Sequence, residues 1–294
     1  MSEEIIKLTG KPHDLGGGMT VTRIIPQAKK RMIGPFVFFD HMGPVDIKAG
    51  QNTDVRPHPH IGLSTFTYLI EGRMVHRDSL GTEMTIKPGD VNWMTAGRGI
   101  AHSERGHPDD KHIDHRLHGL QLWVALTDAL EDTDPDFAHY DSTVIPRTST
   151  AGCEISVVAG AAFGQASPVR TSSPLLLIEV KANSDSDAAG RFLDIDFNNF
   201  ETGVYVIDGQ VRIDDQVFVT HEMLYVAPHT AKRLQFDNTA HFVILGGEPF
   251  ATPRFVWWNL VSSSREKIEH AKQSWKDGTF PMVPGETEFI PAPD

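Results

Sequence analysis

Short runs of β-branched and aromatic residues recur along most of the chain. Examples cover residues 65–70, 204–207 and 242–245, and this composition favours β-strands. An acidic residue and a glycine follow two of these runs, at positions 71–72 and 208–209, as is typical of tight turns. Strands at such short and even spacing predict an all-β protein built as a sandwich or a barrel.

One helical pattern lies near the C-terminus. Three apolar residues share one face at helical spacing: Ile268, Ala271 and Trp275. Ser263 and Glu266 have the spacing of a capping box at the start of a helix. Gly278 is a suitable residue at which the helix ends.

The two halves of the chain resemble each other. The run YLIEGR at residues 68–73 is matched by YVIDGQ at residues 205–210, which lies 137 positions further on. Similar elements follow each run, which favours a duplication. A polar stretch over residues 127–136 separates the halves. We therefore predict two domains, 1–140 and 141–294, with the helix at the end of the second.

Composition narrows the classes of partner. The 294 residues carry a formal charge of −12, and the longest basic cluster covers only residues 29–31, so direct binding to nucleic acid is not expected. The single cysteine, Cys153, permits no internal disulfide and fits a reducing compartment. The N-terminus is acidic, unlike a signal peptide, and the apolar runs are short of the roughly 20 residues that span a membrane. These features predict a globular cytoplasmic protein.

Two short motifs indicate a metal site. His58-Pro59-His60 and His102-Ser103-Glu104 each place two ligating side chains at i and i+2, which lie on the same face of a strand. Three imidazoles and one carboxylate suit Fe(II), Mn, Ni, Cu or Zn, and the lack of thiolates argues against a purely structural zinc site. Four protein ligands on an octahedral ion leave two adjacent positions for water, O₂ or a substrate.

The surrounding residues resemble known families. The HxH pair, Gly72 and the segment GIAH at residues 99–102 resemble the two cupin motifs. The longer string GDVNWMTAGRGIAHSE at residues 89–104 is similar to the pirin family. Further pirin-like segments lie in both halves, at residues 34–41, 56–60, 118–124, 164–169 and 173–175.

The resemblance implies two tandem cupin barrels of the double-stranded β-helix (jelly-roll) type. It also implies iron in the N-terminal barrel, with four metal ligands: His58, His60, His102 and Glu104. Cupins of the general pattern carry a ligand Glu four or five residues after HxH, where this chain has Ser64 and Thr65. Glu104 is therefore expected to supply the carboxylate. Many pirins keep a non-ligand Glu near the same point, so Ser64 is a departure from them.

The C-terminal half lacks these ligands. Moving His58 and His60 along the chain by 137 positions gives Ile195 and Phe197, which predicts a barrel filled with side chains. We assign the remaining histidines of that half to surface or loop positions: His221, His229 and His241.

Other conspicuous residues have simpler interpretations. The histidines at 112, 115 and 118 are expected in a solvated loop near the barrel mouth. His41 is assigned a structural role in preference to lining the cavity. Trp93 and Met94 are expected in the core, and Cys153 on a strand.

Two functions from different classes follow. Pirins resemble quercetin 2,3-dioxygenases, which implies an Fe(II) enzyme that binds a flavonol-like aromatic substrate and O₂ side by side. Glu104 would take the proton of the substrate hydroxyl, and an apolar wall is expected around Phe36, Phe38 and Trp93. The alternative is a regulatory protein in which the redox state of the iron controls binding to a protein partner, such as a transcription factor or a metabolic enzyme.

Overall fold

A computed structural model describes residues 5–15, 19–150, 152–183 and 191–293. The chain divides into two compact units. The unit that we call the N unit consists of Pro12–Thr22, Phe39–Ser142 and Ala251–Asp294. The other, the C unit, consists of Met1–Lys11, Arg23–Phe38 and Thr143–Phe250.

Strands account for most of the described elements. In the first half of the chain they are β1 (Ile5–Thr9), β2 (Lys11–Asp14), β3 (Thr20–Ile25), β4 (Phe36–Ile47), β5 (Val55–His60), β6 (Leu63–Glu71), β7 (Met74–Asp78), β8 (Glu83–Ile86), β9 (Val91–Thr95), β10 (Ile100–Gly106), β11 (His115–Ala125) and β12 (Asp136–Tyr140). In the second half they are β13 (Arg147–Thr150), β14 (Cys153–Ala159), β15 (Ala161–Ala162), β16 (Gln165–Ala166), β17 (Leu175–Ala182), β18 (Arg191–Ile195), β19 (Glu201–Asp208), β20 (Gln210–Ile213), β21 (Gln216–Val219), β22 (Glu222–Val226), β23 (Lys232–Phe236), β24 (His241–Gly247), β25 (Phe255–Trp257) and β26 (Leu260–Ser262). Helical segments are two 3₁₀ turns, Pro108–Asp110 and Ser142–Val144, and the helix α1 (Arg265–Lys276).

Each unit is built on one large and one small antiparallel sheet. In the N unit the strand orders are β12-β9-β6-β11-β4-β3-β2 and β5-β10-β7-β8. In the C unit they are β1-β22-β19-β24-β17-β14-β13 and β18-β23-β20-β21. The two runs of the internal repeat lie on β6 and β19, which hold the same third place in their sheets. The prediction of an all-β protein with two tandem cupin barrels and a C-terminal helix is confirmed.

The helix α1 begins one residue later than its capping pattern predicts. Ser264, not Ser263, is the N-cap, and its hydroxyl accepts a hydrogen bond from the backbone N–H of Lys267. Gly278 follows the helix with a φ of +68°, the left-handed conformation that glycine adopts without strain. No helix among the residues that the structure describes is long and apolar enough to cross a membrane.

The ranges predicted for the two domains differ from the compact units at both ends of the chain. The helix falls in the N unit because its buried face packs against Ile61, Ala101 and Leu260. The polar stretch over residues 127–136 also lies within the N unit, where its last residue begins β12 beside β9. Apolar packing, which the repeat pattern does not report, decides this grouping.

Candidate metal centre

Two paired strands bring the predicted ligands together. The antiparallel register of β5 and β10 sets His102 opposite His58, and Ile100 opposite His60. The register then shifts between His102 and Glu104, as in a β-bulge, which re-aims side chains. All four predicted side chains are buried on this small sheet of the N unit.

The three histidines form a compact group. One ring nitrogen from each of His58, His60 and His102 can be chosen so that all three atoms lie within 4.8 Å of one another. The Nε2 atoms of His60 and His102 are 3.0 Å apart. Glu104 is not part of this closest group, although its Oε1 lies 3.7 Å from His102 Nδ1.

Backbone carbonyls orient two of the rings. His58 donates from Nδ1 to the carbonyl oxygen of Arg56, and His60 donates from Nδ1 to that of Asn259, each over 2.9 Å. A neutral imidazole that donates from Nδ1 carries a lone pair on Nε2. Both Nε2 atoms are therefore in the form that binds metal ions.

Burial keeps these imidazoles neutral. It lowers the pKa of His58 to about 4, against the opposing effect of the Arg56 carbonyl. Burial, together with repulsion from neighbouring histidines, lowers the pKa of His60 and of His102 well below 6.5. A metal ion binds neutral histidine, so no proton has to be displaced from these rings near pH 7.

Glu104 supplies the clearest test of whether a cation fits. Its Oε2 is buried and has no hydrogen-bond partner among the residues that the structure describes. Burial raises the pKa of its carboxyl to about 8. An adjacent cation favours the charged form and supplies the missing partner, so the donor set of three imidazoles and one carboxylate fits a divalent first-row metal.

The apolar surroundings of the histidines differ from those predicted. Trp123 contacts His60 edge-on, with ring centroids 5.1 Å apart, and Phe137 stacks on His76 at 4.5 Å. Trp93 is in the core, as expected, but packs on Phe66 and donates from Nε1 to Thr95.

One of the three residues predicted for the apolar wall, Trp93, lies elsewhere. Phe36 and Phe38 belong to the C unit. On β6, Phe66 is paired with Trp93. The preceding residue, Thr65, is paired with Trp123. Successive residues of a strand point to opposite faces, so Trp93 lies on the face of the large sheet that does not carry Trp123.

Ser64 lies on that same opposite face. Its hydroxyl is 3.1 Å from the hydroxyl of Thr95, while Thr65 pairs with Trp123. An acid in place of Ser64 would therefore point away from the histidines. The departure from the family pattern at this position removes no group from the candidate metal centre.

The remaining histidines of the N unit divide into buried and exposed residues. His118 is buried within β11, so its prediction as a solvated loop residue is wrong. Its Nε2 lies 2.7 Å from Nε2 of His41, which is also buried. His112 is exposed, and His115 begins β11 in a half-buried position.

The C unit places different residues at the ligand positions from those predicted. The strands that correspond to β5 and β10 are β18 and β23, by their order in the sheet. Leu193 pairs with Leu234 as His58 pairs with His102, and Ile195 takes the place of His60. The offset is thus 135 positions, not 137, and Phe197 lies beyond the strand.

The histidines of the C unit are not all in loops. His221 and His229 lie in turns, as predicted. His241 lies at the start of β24 in a half-buried position, not in a loop, and bonds through Nε2 to Glu179 over 2.9 Å. Cys153 begins β14, where it is buried.

Two residues near the histidines were not predicted. His76 and Asp78 are buried on β7 next to β10, and His76 Nδ1 lies 3.4 Å from His102 Nδ1. Their i, i+2 spacing in the sequence is the same signal that selected the other two pairs.

The fold and the histidine group together define a bicupin protein with a candidate metal centre in one of its two barrels. The sequence profile of the pirin family matches residues 18–124, and that of the pirin C-terminal cupin domain matches residues 187–281. The chain belongs to the pirin family.

Individual relatives match almost end to end. A pirin-like protein of Caulobacter vibrioides is 42% identical over 282 residues, which cover 95% of this chain and 96% of the relative. Human pirin is 31% identical over 273 residues, 90% of this chain and 89% of its own length. The crystal structure of a quercetin 2,3-dioxygenase from Acinetobacter baumannii superposes with a TM-score of 0.90 at 34% identity, covering 99% of this chain and 95% of that one.

Proposed function

We propose that this protein is an Fe(II)-dependent dioxygenase that cleaves a flavonol such as quercetin. The metal ligands would be His58, His60, His102 and Glu104. The observation that carries the metal site is the 3.0 Å approach of the Nε2 atoms of His60 and His102, because two nitrogens that bind one ion at about 2.1 Å and at right angles to each other lie about that far apart. The likeness to the dioxygenase from Acinetobacter baumannii supports the substrate class.

The bound ion, Glu104 and the aromatic residues of the site have different roles in the proposed reaction. A bound divalent ion supplies positive charge and open coordination positions. Glu104 is the only anionic group of the ligand set, so its carboxylate is the group that takes the proton of the substrate hydroxyl. Trp123 and Phe137 present ring faces and edges beside the histidines, which suits a flat aromatic substrate.

The metal would remain reduced in the proposed location. A cytoplasmic protein lies in a reducing compartment, as the single cysteine indicates. The neutral imidazoles and the carboxylate do not select strongly among first-row ions, so availability decides which ion is bound. Iron is the ion that we propose.

The test is anaerobic purification, quantification of bound metals and measurement of O₂ uptake with quercetin. We expect about one iron per chain and uptake that depends on quercetin. His118→Ala is the matched control, because it removes a buried histidine of the same unit that is not a proposed ligand. It should keep its iron, while His60→Ala should lose it.

Two results would contradict the proposal. If the wild-type protein binds no metal, the proposed metal site is refuted. Stoichiometric iron without quercetin-dependent uptake would remove the dioxygenase activity and favour the regulatory function, in which the iron controls a protein partner.

A further inference from the structure

His76 and Asp78 lie directly behind one of the proposed ligands. The pairing of β7 with β10 sets Asp78 opposite His102, and His76 opposite Glu104. Both side chains are buried, and Asp78 is 0% exposed. The proposed reaction uses neither of them, although a buried carboxylate is costly unless it has a role or several partners.

Three hydrogen bonds hold the carboxylate of Asp78 in place. Its Oδ1 accepts from the backbone N–H groups of Leu80 at 2.9 Å and Thr82 at 3.1 Å. Its Oδ2 lies 3.0 Å from Nε2 of His76. A carboxylate only accepts hydrogen bonds, so His76 carries its hydrogen on Nε2.

The hydrogen on His76 Nε2 determines the next contact. A neutral ring with hydrogen on Nε2 has a lone pair on Nδ1, and this Nδ1 lies 3.4 Å from Nδ1 of His102. His102 therefore donates from Nδ1 to His76. Glu104 Oε1 is further away, at 3.7 Å, beyond hydrogen-bond distance. With its hydrogen on Nδ1, His102 presents a lone pair on Nε2, towards His60.

We propose that the hydrogen-bonded pair Asp78–His76 fixes the tautomer and the orientation of His102, so that Nε2 of His102 is available to the metal. His76 and Asp78 are positioning residues. The inference deepens the proposed function and rests on it for the metal, although the tautomer is a property of the protein alone. Partners of this kind commonly orient metal-binding histidines.

The fold explains why this histidine needs a side-chain partner. His58 and His60 lie on β5, at the edge of the small sheet, and donate to backbone carbonyls. His102 lies on β10, which is paired on both sides, with β5 and with β7. Ladder hydrogen bonds use the backbone groups on both sides of a central strand, so a side chain supplies the acceptor. Phe137 stacks on the His76 ring with an interplanar angle of 21° and holds it in place.

The central test is Asp78→Asn in the full chain. The new amide keeps its oxygen on the N–H groups of Leu80 and Thr82, which turns the NH₂ group towards His76. His76 must then accept at Nε2 and carry its hydrogen on Nδ1. This moves the hydrogen of His102 to Nε2, the atom that faces the metal. The substitution is nearly isosteric, so it reverses the direction of the hydrogen bonds from residue 78 through His76 to His102 with little change in packing.

Two measurements follow the reversal. The ¹⁵N chemical shifts of the imidazoles in metal-free protein should show His102 protonated on Nδ1 in the wild type and on Nε2 in Asp78→Asn. The dissociation constant for Fe(II), measured anaerobically against a chelator, should rise about 10- to 100-fold. Asp237→Asn is the matched control, because Asp237 also accepts from a backbone N–H in a turn, that of Thr239, but has no histidine in the chain of contacts described for it. It should leave both measurements unchanged.

Substitutions at position 76 separate positioning from packing. His76→Gln can donate to Asp78 and accept from His102, so it should keep the dissociation constant within about threefold of the wild type. His76→Leu fills the space without polar atoms and should weaken binding about as much as Asp78→Asn. Equal binding by the Gln and Leu variants would overturn the proposal.

An unchanged His102 tautomer in Asp78→Asn, or a wild-type His102 protonated on Nε2, would also overturn it. Failure of the proposed function is seen separately. If the wild type binds no metal, the ¹⁵N shifts of the metal-free proteins still decide whether Asp78 and His76 set the tautomer.

Discussion

The small sheets of the two units have the same strand order and opposite chemistry. Each polar position of the candidate metal centre and of the neighbouring pair on β7 corresponds to an apolar residue in the core of the C unit, by strand order and register. His58, His60, His102, Glu104, His76 and Asp78 correspond to Leu193, Ile195, Leu234, Phe236, Val211 and Ile213. One barrel therefore has a polar interior at the positions where the other is packed.

The difference shows how much folding stability a barrel loses when its interior holds polar side chains. Each fully buried aliphatic side chain in the C unit contributes about 1.5–3 kcal/mol. The N unit forgoes that contribution at these positions. It also keeps a buried carboxylate oxygen that has no partner among the residues described, which costs about 1–3 kcal/mol. The N unit should therefore gain stability from a bound ion, while the C unit is complete without one.

The largest expected effect contrasts the corresponding residues His60 and Ile195. His60→Ala should reduce metal content to near zero, because it removes one of the three closest nitrogens. Ile195→Ala should keep the metal and lower the free energy of unfolding by about 2–5 kcal/mol through a cavity in the core of the C unit. Elemental analysis and denaturant unfolding measure the two effects. Loss of metal in both variants would contradict the division of roles.

The next effect concerns Glu104 alone. Glu104→Gln keeps the size and one oxygen but loses the charge and nearly all basicity. We expect part of the iron to remain, while quercetin-dependent O₂ uptake per bound iron falls by about 10²–10⁴-fold. Activity must be expressed per iron to separate poor loading from poor chemistry. Wild-type activity per iron would show that another group takes the proton.

A third prediction uses two buried acids with opposite pKa shifts. In the metal-free N unit, burial raises the pKa of Glu104 to about 8, so the native state binds the proton more tightly than the unfolded state. In the C unit, burial opposes ionisation of Glu179, but its hydrogen bond to His241 and the charge of Lys181 outweigh burial and lower the pKa to about 2.

The two shifts predict opposite pH dependence. The contribution of Glu104 to the stability of metal-free protein should be present below pH 4.5 and be lost as the pH rises through about 8. That of Glu179 should be present above pH 4.5 and be lost as the pH falls towards about 2. Unfolding of metal-free wild type, Glu104→Gln and Glu179→Gln across this range measures both. Glu104→Gln should reduce the pH dependence of stability only between pH 4.5 and about 8, and Glu179→Gln only between pH 4.5 and about 2. The same change in both variants would contradict the assignment.

The smallest functional effect is expected at Ser64. Related cupins carry an acid near this position, but Ser64 lies against Thr95 on the face away from the histidines. Ser64→Glu should therefore restore no activity to Glu104→Gln, and it should destabilise the protein by burying a carboxylate without a partner. Recovery of O₂ uptake would show that the new acid reaches the substrate.

Local patterns in the sequence determined the elements and most of the candidate site. Alternation along a strand places i and i+2 on one face whatever the tertiary structure does, so the pairs His58/His60 and His102/Glu104 could be identified from spacing alone. The same rule applied to His76 and Asp78. The apolar spacing and the capping pattern likewise identified α1, with its start placed within one residue of the N-cap.

Pairing between distant strands decided the rest. The partners of Ser64 and Trp93, the 135-residue offset between the barrels and the contact between His76 and His102 all depend on register. Register is set by loop lengths and by which faces become buried, and a one-residue shift changes which side chains meet. The helix belongs to the N unit for a similar reason, since its apolar face packs on Ile61 and Ala101, and a hydrophobic stripe does not specify the surface that covers it.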